Sequence, residues 1–210
     1  LKTGLTALSY TDTTAENATT YQYAVRAYNA TGNSAYASSD QIMRLEQPKA
    51  TVANKTNGIR ITWNEVEGAE SYRVYRKVSG GSWKRLSTET DTAYLDTSVE
   101  SGVTYSYRVR AKNGDILSSN KLSVSILRLS GPVAIAANGK TGVLIQWNAV
   151  EGAESYRILR KVPDGSWKTI ATDITELKYT DTAAKSGKTY YYAVRAYGDG
   201  VLSSYTATEA

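Results

Sequence analysis

The chain of 210 residues contains no cysteine, no histidine and no phenylalanine. Without cysteine, neither disulfide bonds nor thiolate metal sites can hold the fold together. Without histidine, the chain lacks the usual general base, the side chain that titrates near neutral pH and the commonest metal ligand. These absences exclude the most frequent forms of catalytic and metal chemistry, and we expect neither a metal site nor a cofactor.

Long apolar segments are also missing. No apolar run in the sequence reaches the roughly 18 residues that a membrane helix needs, so membrane insertion is not expected. A basic and then apolar leader segment does not open the chain either. That second absence carries little meaning, because the repeats described below indicate that the sequence begins inside a repeat.

Tyrosine is the dominant aromatic residue, with 17 copies beside 4 tryptophans. A tyrosine ring fills a core while its hydroxyl reaches the wet rim, which suits a small β-sandwich. Hydrophobic residues make up 41% of the chain, as in an ordinary globular protein, and disorder is therefore not expected.

The main feature of the sequence is an internal repeat. Residues 63–73 (Trp-Asn-Glu-Val-Glu-Gly-Ala-Glu-Ser-Tyr-Arg) return at 147–157 with a single change, Ala149 in place of Glu65. Residues 104–111 (Thr-Tyr-Ser-Tyr-Arg-Val-Arg-Ala) have counterparts at 20–27 and at 189–196. A recurrence at this spacing is typical of tandem small domains.

Three copies follow from these matches: a C-terminal half-repeat at 1–46 and complete repeats at 47–129 and 130–210. Leu1 aligns with Ile170, so the first copy lacks its first half, and we expect the chain to be a piece of a longer array. The two complete copies each open near a proline, Pro48 and Pro132, which suits the first position of a strand. No Gly/Ser-rich spacer separates the copies, which predicts short, semi-rigid linkers.

Within each copy, apolar residues alternate with a period of two, the pattern of half-buried strands. Ile59, Ile61 and Trp63 share one strand face, and Tyr72 and Val74 share a face of the next strand. Glycine- and asparagine-rich turns such as 57–58 and 113–114 separate the runs. About seven short strands per copy predict a sandwich of two aligned sheets.

These residues resemble the fibronectin type III family. The resemblance rests on the Trp of the second strand, the Tyr-x-Val of the third and the Gly-x-Thr-Tyr-x-Tyr-x-Val-x-Ala at 102–111. It implies tandem immunoglobulin-like sandwiches in which Tyr21, Tyr105 and Tyr190 form tyrosine corners. The Trp-Asn-x-Val-x-Gly-Ala block, followed by Gly-Ser-Trp-Lys at 81–84 and 165–168, is similar to the form found in secreted and cell-surface proteins of Gram-positive bacteria.

The tryptophans divide into two pairs. Trp63 and Trp147 share a face with apolar neighbours and are interpreted as core anchors. Trp83 and Trp167 follow a glycine-rich turn on an expected edge strand. They either pack as lids over the edge of the sandwich or stack on a sugar or a protein partner.

Alternation places six tyrosines on outer faces: Tyr28, Tyr36, Tyr75, Tyr191, Tyr197 and Tyr205. In the last repeat, Tyr191, Tyr197 and Tyr205 are expected to form an outer patch. Facing rings across a hairpin stabilise it by roughly 0.2–1 kcal/mol without any ligand. The alternative is that the rings stack on sugars or peptides.

The net charge of +5 arises in residues 47–129, which carry 13 Lys and Arg against 8 Asp and Glu. Arg73, Arg108 and Arg110 are predicted on the outer faces of that repeat's third and sixth strands. They either cover the sheet with their stems or bind an anionic wall polymer. Nucleic acid is not an expected partner.

Acidic residues give no sign of an active site. Asp12, Asp96 and Asp181 follow a strand tyrosine in Tyr-x-Asp-Thr and are expected to cap a turn. A calcium site needs several converging oxygens, which this spacing does not supply. No phosphate-binding glycine loop or nucleophile elbow is present either, so no catalytic residues are assigned.

The function predicted from the sequence is that of non-catalytic spacer repeats in a larger extracellular or cell-surface protein. The alternative is an adhesive module that binds carbohydrate or protein through the exposed tyrosines of the last repeat or the basic face of the middle one. Expected partners are neighbouring domains of the same longer chain, together with a polysaccharide or a surface protein. Residues 1–46 are expected to pair with another chain that covers their open face.

Overall fold

The computed structural model describes residues 1–208, and within that range its regular secondary structure consists of β-strands alone. The predicted all-β fold of tandem fibronectin type III sandwiches is confirmed. The division at 46/47 and 129/130 stays a prediction, and the names half-repeat, middle repeat and last repeat follow it. Glu209 and Ala210, at the end of the predicted last repeat, lie outside the described residues.

The half-repeat contains six strands of two residues each. They are β1 (Thr20–Tyr21), β2 (Ala24–Val25), β3 (Tyr28–Asn29), β4 (Gly32–Asn33), β5 (Ala37–Ser38) and β6 (Ile42–Met43). β1 pairs with β6, β2 with β5 and β3 with β4, all antiparallel. The three ladders therefore follow one another along a single hairpin.

The middle repeat contains two sheets. Its strands are β7 (Ala50–Lys55), β8 (Gly58–Trp63), β9 (Ser71–Val78), β10 (Lys84–Glu89), β11 (Ala93–Asp96), β12 (Thr104–Asn113), β13 (Ile116–Leu117) and β14 (Val124–Leu127). One sheet has the order β11-β8-β7, and the other has β10-β9-β12-β13 with β14 also paired to β12. Because β13 and β14 both pair with β12, they act as one interrupted seventh strand.

The last repeat has the same arrangement. Its strands are β15 (Ala134–Asn138), β16 (Val143–Trp147), β17 (Ser155–Lys161), β18 (Lys168–Ile174), β19 (Lys178–Asp181), β20 (Tyr191–Gly198) and β21 (Val201–Leu202). The sheets have the orders β15-β16-β19 and β18-β17-β20-β21. An isolated bridge between Ala193 and Ala207 continues the final strand.

The predicted alternation places the core between the two sheets. In β8, Ile59 and Ile61 are fully buried and Trp63 is 6% exposed, while Arg60 between them faces solvent. Trp63 packs against Tyr72 with ring centroids 5.6 Å apart, in an edge-to-face arrangement. Trp147 is likewise 6% exposed. Both tryptophans are core anchors, as expected.

All three tyrosine corners are formed. The hydroxyl of Tyr21 accepts a hydrogen bond from the Glu16 amide at 2.8 Å. Tyr105 does the same with the Glu100 amide at 3.0 Å, and Tyr190 with the Lys185 amide at 3.2 Å. Each tyrosine thus holds the turn that lies five residues before it.

A buried carboxylate joins the two sheets of each complete repeat. Asp96 ends β11 in one sheet, and its Oδ2 accepts hydrogen bonds from Tyr107 at 2.8 Å and from Arg76 at 2.7 Å, both in the other sheet. Its Oδ1 caps the following turn by accepting from the Ser98 amide at 3.1 Å. The turn cap was expected, but the bridge between sheets was not.

The last repeat builds the same bridge. Asp181 Oδ2 accepts from Tyr192 at 2.9 Å and from Arg160 at 2.7 Å, while Oδ1 caps the turn at Ala183. The two arginines were not predicted, because cations on these strands were expected only on the outer faces. Arg76 nevertheless follows Tyr72 and Val74 at intervals of two residues, so alternation places its side chain on the same inward face. This position could have identified Arg76 as a partner of a buried carboxylate.

The electrostatics of Asp96 follow from this enclosure. Burial pushes the pKa of the carboxyl group upward, but the hydrogen bonds from Ser98, Tyr107 and Arg76 outweigh it and leave the pKa below its ordinary value. Burial and the adjacent carboxylate raise the pKa of Tyr107 far above its ordinary value. The tyrosine therefore stays a neutral donor and the aspartate an anionic acceptor.

The half-repeat has no second sheet over its inward face. Val25 is 67% exposed, whereas its counterparts Val109 and Val194 are 1% and 0% exposed. Tyr10 is 48% exposed as well. The face that the complete repeats bury is open in residues 1–46.

Replacement of Asp96 by asparagine is expected to destabilise the middle repeat by about 2 kcal/mol, because Arg76 and Tyr107 lose a charged acceptor. Because the pKa of Asp96 is lower in the folded chain than in the unfolded chain, its carboxylate stabilises the fold. This stabilisation is complete at pH values above the unfolded-state pKa of about 3.9, and it is lost as the pH falls through the folded-state pKa. Chemical denaturation at several pH values measures both effects. The difference between wild type and D96N should shrink in acid.

Asp91→Asn is the matched control, since Asp91 is an exposed aspartate of the same repeat. It should leave the free energy of unfolding nearly unchanged at every pH. An equal loss in both variants would contradict a specific role for the buried carboxylate.

The open face of residues 1–46 predicts that this segment is cut first in limited proteolysis of the dilute chain, because exposed ladders open easily. Mass spectrometry of the fragments locates the cleavage sites. A half-repeat that resists cleavage as long as the middle repeat does, in a chain shown to be monomeric, would refute the expectation that another chain must cover it.

Candidate functional site

The outer face of the last repeat gathers aromatic and cationic side chains. Trp167 and Tyr205 meet edge-to-face, with ring centroids 5.5 Å apart and an interplanar angle of 73°. Lys161 Nζ lies 5.4 Å from the Trp167 ring centroid and 5.2 Å from that of Tyr191. The Arg195 guanidinium lies 5.8 Å from the Tyr205 centroid. We call these five residues the aromatic face.

The expected patch of three tyrosines is split. Tyr191 and Tyr205 belong to the aromatic face, but Tyr197 lies at the other end of β20, about 20 Å away by strand rise. There Tyr197 lines a shallow pocket with Arg157, Thr172 and Asp173. Asp173 has a left-handed backbone (φ 60°), and the pairing of β17 with β18 is irregular.

The middle repeat presents a basic counterpart of the aromatic face. The Arg108 guanidinium lies 4.1 Å from the Trp83 centroid and 5.6 Å from that of Tyr75. Lys77 Nζ lies 5.2 Å from the same Trp83 ring. Trp83 is therefore flanked by two cations, and each such contact at an exposed site contributes roughly 0.5–1 kcal/mol. A ligand would meet the Arg108 guanidinium and the Lys77 ammonium group here before it met the ring.

The predicted arginines differ in how they are held. Arg110 Nε donates to the Ser118 carbonyl at 2.7 Å, just as Arg195 Nε donates to Ser203 in the last repeat. Arg73 is half-buried, and within residues 1–208 its Nε has no hydrogen-bond partner. Burial, followed by the nearby Arg110 charge, lowers the pKa of Arg108. These residues thus combine packing on the sheet with unused donor capacity.

The second notable site is the junction between successive repeats, where a turn before the tyrosine corner meets a Glu-Gly turn of the next repeat. Asn17 Nδ2 donates to the Glu67 carbonyl at 3.3 Å, and its Oδ1 accepts from the Glu46 amide at 2.8 Å. One side chain therefore binds both the linker and the following repeat.

The next junction repeats both hydrogen bonds. Ser101 Oγ donates to the Glu151 carbonyl at 2.9 Å and accepts from the Ser130 amide at 3.0 Å. Each of its three residues lies 84 positions after its counterpart in the first junction. We call this pair of hydrogen bonds the clasp.

Glycines allow the two turns of the clasp to approach closely. A Cβ atom on Gly152 would lie 2.7 Å from the Gly102 Cα, and one on Gly102 would lie 2.6 Å from Glu151 Cγ. Gly68 and Gly152 also have left-handed φ values of 79° and 82°. Side chains at these positions would force the repeats apart.

The linker after the middle repeat is also anchored. Asn54 donates to the Leu127 carbonyl at 3.0 Å and accepts from the Leu129 amide at 3.3 Å. The Arg128 side chain donates to the Lys55 carbonyl at 2.8 Å, and burial lowers its pKa. The sequence predicted short, semi-rigid linkers but not these contacts, which join positions more than 70 residues apart.

Within residues 1–208, the acidic side chains form neither a metal site nor an accessible carboxylate pair at the buried aspartates. No group of three or more His, Cys, Asp or Glu side chains in residues 1–208 is placed to hold a metal ion. Asp96 and Asp181 are 1% and 2% exposed, so a substrate cannot reach them. The described residues also include no helix of the length and apolarity that a membrane span requires.

Comparison with known proteins gives one family match. Residues 49–121 match the family described as "PBP1-like, fibronectin3-like domain". This range covers most of the middle repeat, including strands β7 to β13, Trp83 and Arg108.

Three similar proteins come from bacteria. Exoglucanase B of Cellulomonas fimi is 28% identical over 91% of this chain and 20% of its own length. Amylopullulanase of Thermoanaerobacter thermohydrosulfuricus is 33% identical over 57% of this chain and 9% of its own. The solved structure of a Fn3-like protein from Clostridium thermocellum is 34% identical over 39% of this chain and 92% of its own, with a TM-score of 0.35. The chain spans a fifth or less of the two enzymes.

Proposed function

Because residues 49–121 belong to the fibronectin type III family, we propose that the chain is a non-catalytic spacer that holds neighbouring modules of a larger secreted protein at a set separation and orientation. The cell surface is a second location consistent with this role. The partners are then the adjoining domains of the same longer polypeptide.

The clasp is the observation that carries this proposal. A flexible tether needs no contact between successive repeats, whereas Asn17 and Ser101 make the same two hydrogen bonds at both junctions. A glycine in the acidic turn of each junction, Gly68 or Gly152, permits the close approach that these bonds require, and it faces Ala18 at the first junction and Gly102 at the second. Each complete repeat spans about 30 Å by strand rise, so an array fixed in this way separates its ends by a defined distance.

The named relatives agree with a modular setting. The chain corresponds to a small part of an exoglucanase and of an amylopullulanase. A segment that recurs in large enzymes of different names suits an accessory role better than a catalytic one. An extracellular location is part of the same proposal.

A second function is favoured by the aromatic face. Its rings are half-buried, and Trp167 is contacted by a lysine at 5.4 Å rather than by an arginine at 4.1 Å as Trp83 is. A sugar ring could therefore displace the cation and stack on the indole, with Lys161 and Arg195 as donors to its hydroxyl groups. Polysaccharide is the ligand class, as the names of the relatives suggest. Arg73 and Arg110 in the middle repeat would add attraction for an anionic polymer.

The spacer function predicts that loss of the clasp uncouples the repeats. Ser101→Ala removes both hydrogen bonds of the second clasp, and Ser101→Asp places a carboxylate against the Glu151 carbonyl. In these variants, residual dipolar couplings are expected to give a separate alignment tensor for each repeat. In the wild-type chain, the middle and last repeats are expected to share one tensor. The fold of each repeat should be unchanged.

Ser82→Ala is the matched control, because Ser82 is an exposed serine of the same repeat that takes no part in the clasp. It should keep the shared tensor. If the Ser101 variants also keep it, the clasp does not set the orientation and the spacer proposal fails.

Polysaccharide binding by the aromatic face predicts that the chain is retained saturably on a polysaccharide array. The double variant Trp167→Ala/Tyr205→Ala should lose this retention. Loss of two stacking rings is expected to weaken binding at least about fivefold, since an aromatic pair contributes about 0.5–1.5 kcal/mol beyond area burial for each ring. Tyr28→Ala/Tyr36→Ala removes two exposed rings of the half-repeat and should leave retention unchanged. No retention of wild type on any polymer would eliminate this function and leave the spacer.

A further inference from the structure

The last repeat presents the same turn that forms the clasp in the two earlier copies. Ser186 and Gly187 occupy the positions of Ser101 and Gly102 just before the tyrosine corner of Tyr190. Gly187 has a left-handed φ of 72°, close to the 82° of Gly102. The Lys185 amide donates to Tyr190 at 3.2 Å, so the turn is already held in the shape that Ser101 uses.

Nothing in residues 1–208 covers this turn. A Cβ atom on Gly187 would find no heavy atom within 4 Å among the described residues, whereas one on Gly102 would collide with Glu151. Ser186 is exposed. Asn138, the counterpart of the Asn54 that anchors the linker, is exposed as well, while Asn54 is 9% exposed.

The charges beside the turn also differ from those of the earlier junction. Lys185 and Lys188, both exposed, stand where the middle repeat has Glu100 and Val103. The Glu-Gly turns that enter the clasp are acidic, with Glu67 and Glu70 in one copy and Glu151 and Glu154 in the other. Two lysines therefore add an attraction that the earlier junction lacks, and salt should weaken it.

We propose that Ser186, Gly187 and Asn138 form a docking surface for the Glu-Gly turn of a further fibronectin type III repeat joined after the last one. Ser186 Oγ donates to the carbonyl of the incoming glutamate and accepts the linker amide, and Asn138 anchors the linker. Gly187 and the incoming glycine let the backbones meet, while Lys185 and Lys188 select an acidic turn. This inference rests on the proposed spacer function and specifies which partner continues the array.

The test extends the chain by a second copy of residues 126–208 directly after Ala210. The copied Ser130 amide then follows Ser186 by 29 residues, the separation seen from Asn17 to Glu46 and from Ser101 to Ser130. Since the chain has no cysteine, pairs of introduced cysteines carry spin labels at single sites. Thr56→Cys/Lys140→Cys reports the existing junction, and Lys140→Cys with its copied equivalent reports the new one.

Electron–electron distance measurements are expected to give a narrow distance distribution between the label at position 140 and the label at its copied equivalent, which we call the new pair. This distribution should be as narrow as that between the labels at positions 56 and 140. Ser186→Ala should raise the undocked population roughly thirtyfold, the factor that corresponds to the net contribution of two hydrogen bonds. Lys185→Glu/Lys188→Glu should broaden the distribution further, and added salt should broaden it without those changes. Ser82→Ala should have no effect.

The outcomes separate this inference from the spacer proposal. If the 56/140 pair is narrow and broadens in Ser101→Ala, but the new pair is broad and indifferent to Ser186→Ala, the docking surface is refuted and the spacer stands. If the 56/140 pair is itself broad, the clasp fails at both places. A narrow new pair that Ser186→Ala leaves unchanged would assign the order to some contact other than this surface.

Discussion

The structure depends on a charged group buried between two sheets. Asp96 and Asp181 are almost fully enclosed, and such a charge is tolerated only when every acceptor position is satisfied. Those donors come from the opposite sheet and from the turn that follows the aspartate, so the carboxylate is satisfied only when the sheets are aligned in one way. In repeats without disulfides, this requirement favours one alignment of the two sheets more strongly than apolar packing alone does.

The same carboxylate reaches the junction through a short series of contacts. The Arg76 guanidinium that pairs with Asp96 also lies 5.1 Å from the Tyr105 ring centroid. Tyr105 holds the turn that includes Ser101 and Gly102, the two residues on which the clasp depends. Arg160 lies 5.0 Å from Tyr190 in the last repeat. The buried carboxylate and the turn that carries the clasp are thus connected by the contacts of one arginine and one tyrosine.

The sequence predicted what depends on local periodicity and missed what depends on contacts between distant positions. Alternation was sufficient to place Trp63 and Trp147 in the core, and the family motif was sufficient for the tyrosine corners. Arg76 was overlooked because an arginine on an inward position contradicts the usual reading of alternation. Comparison of the repeats could not reveal the clasp, because the residue that forms it is Asn17 in one copy and Ser101 in the next. The split of the tyrosine patch followed from the length of β20, which separates Tyr191 from Tyr197 along one strand.

The spacer and binding functions do not compete for the same residues. The clasp uses turns at the ends of each sandwich, whereas Trp83 and Trp167 lie on the outer sheet faces between those ends. A junction that fixes orientation also fixes the position of the basic face of the middle repeat relative to the aromatic face of the last one. Two weak sites at a constant separation act on one polymer with a high effective concentration, whereas the same sites on a flexible tether lose much of that gain. Rigidity at the junction would therefore strengthen a binding role as well as a spacing role.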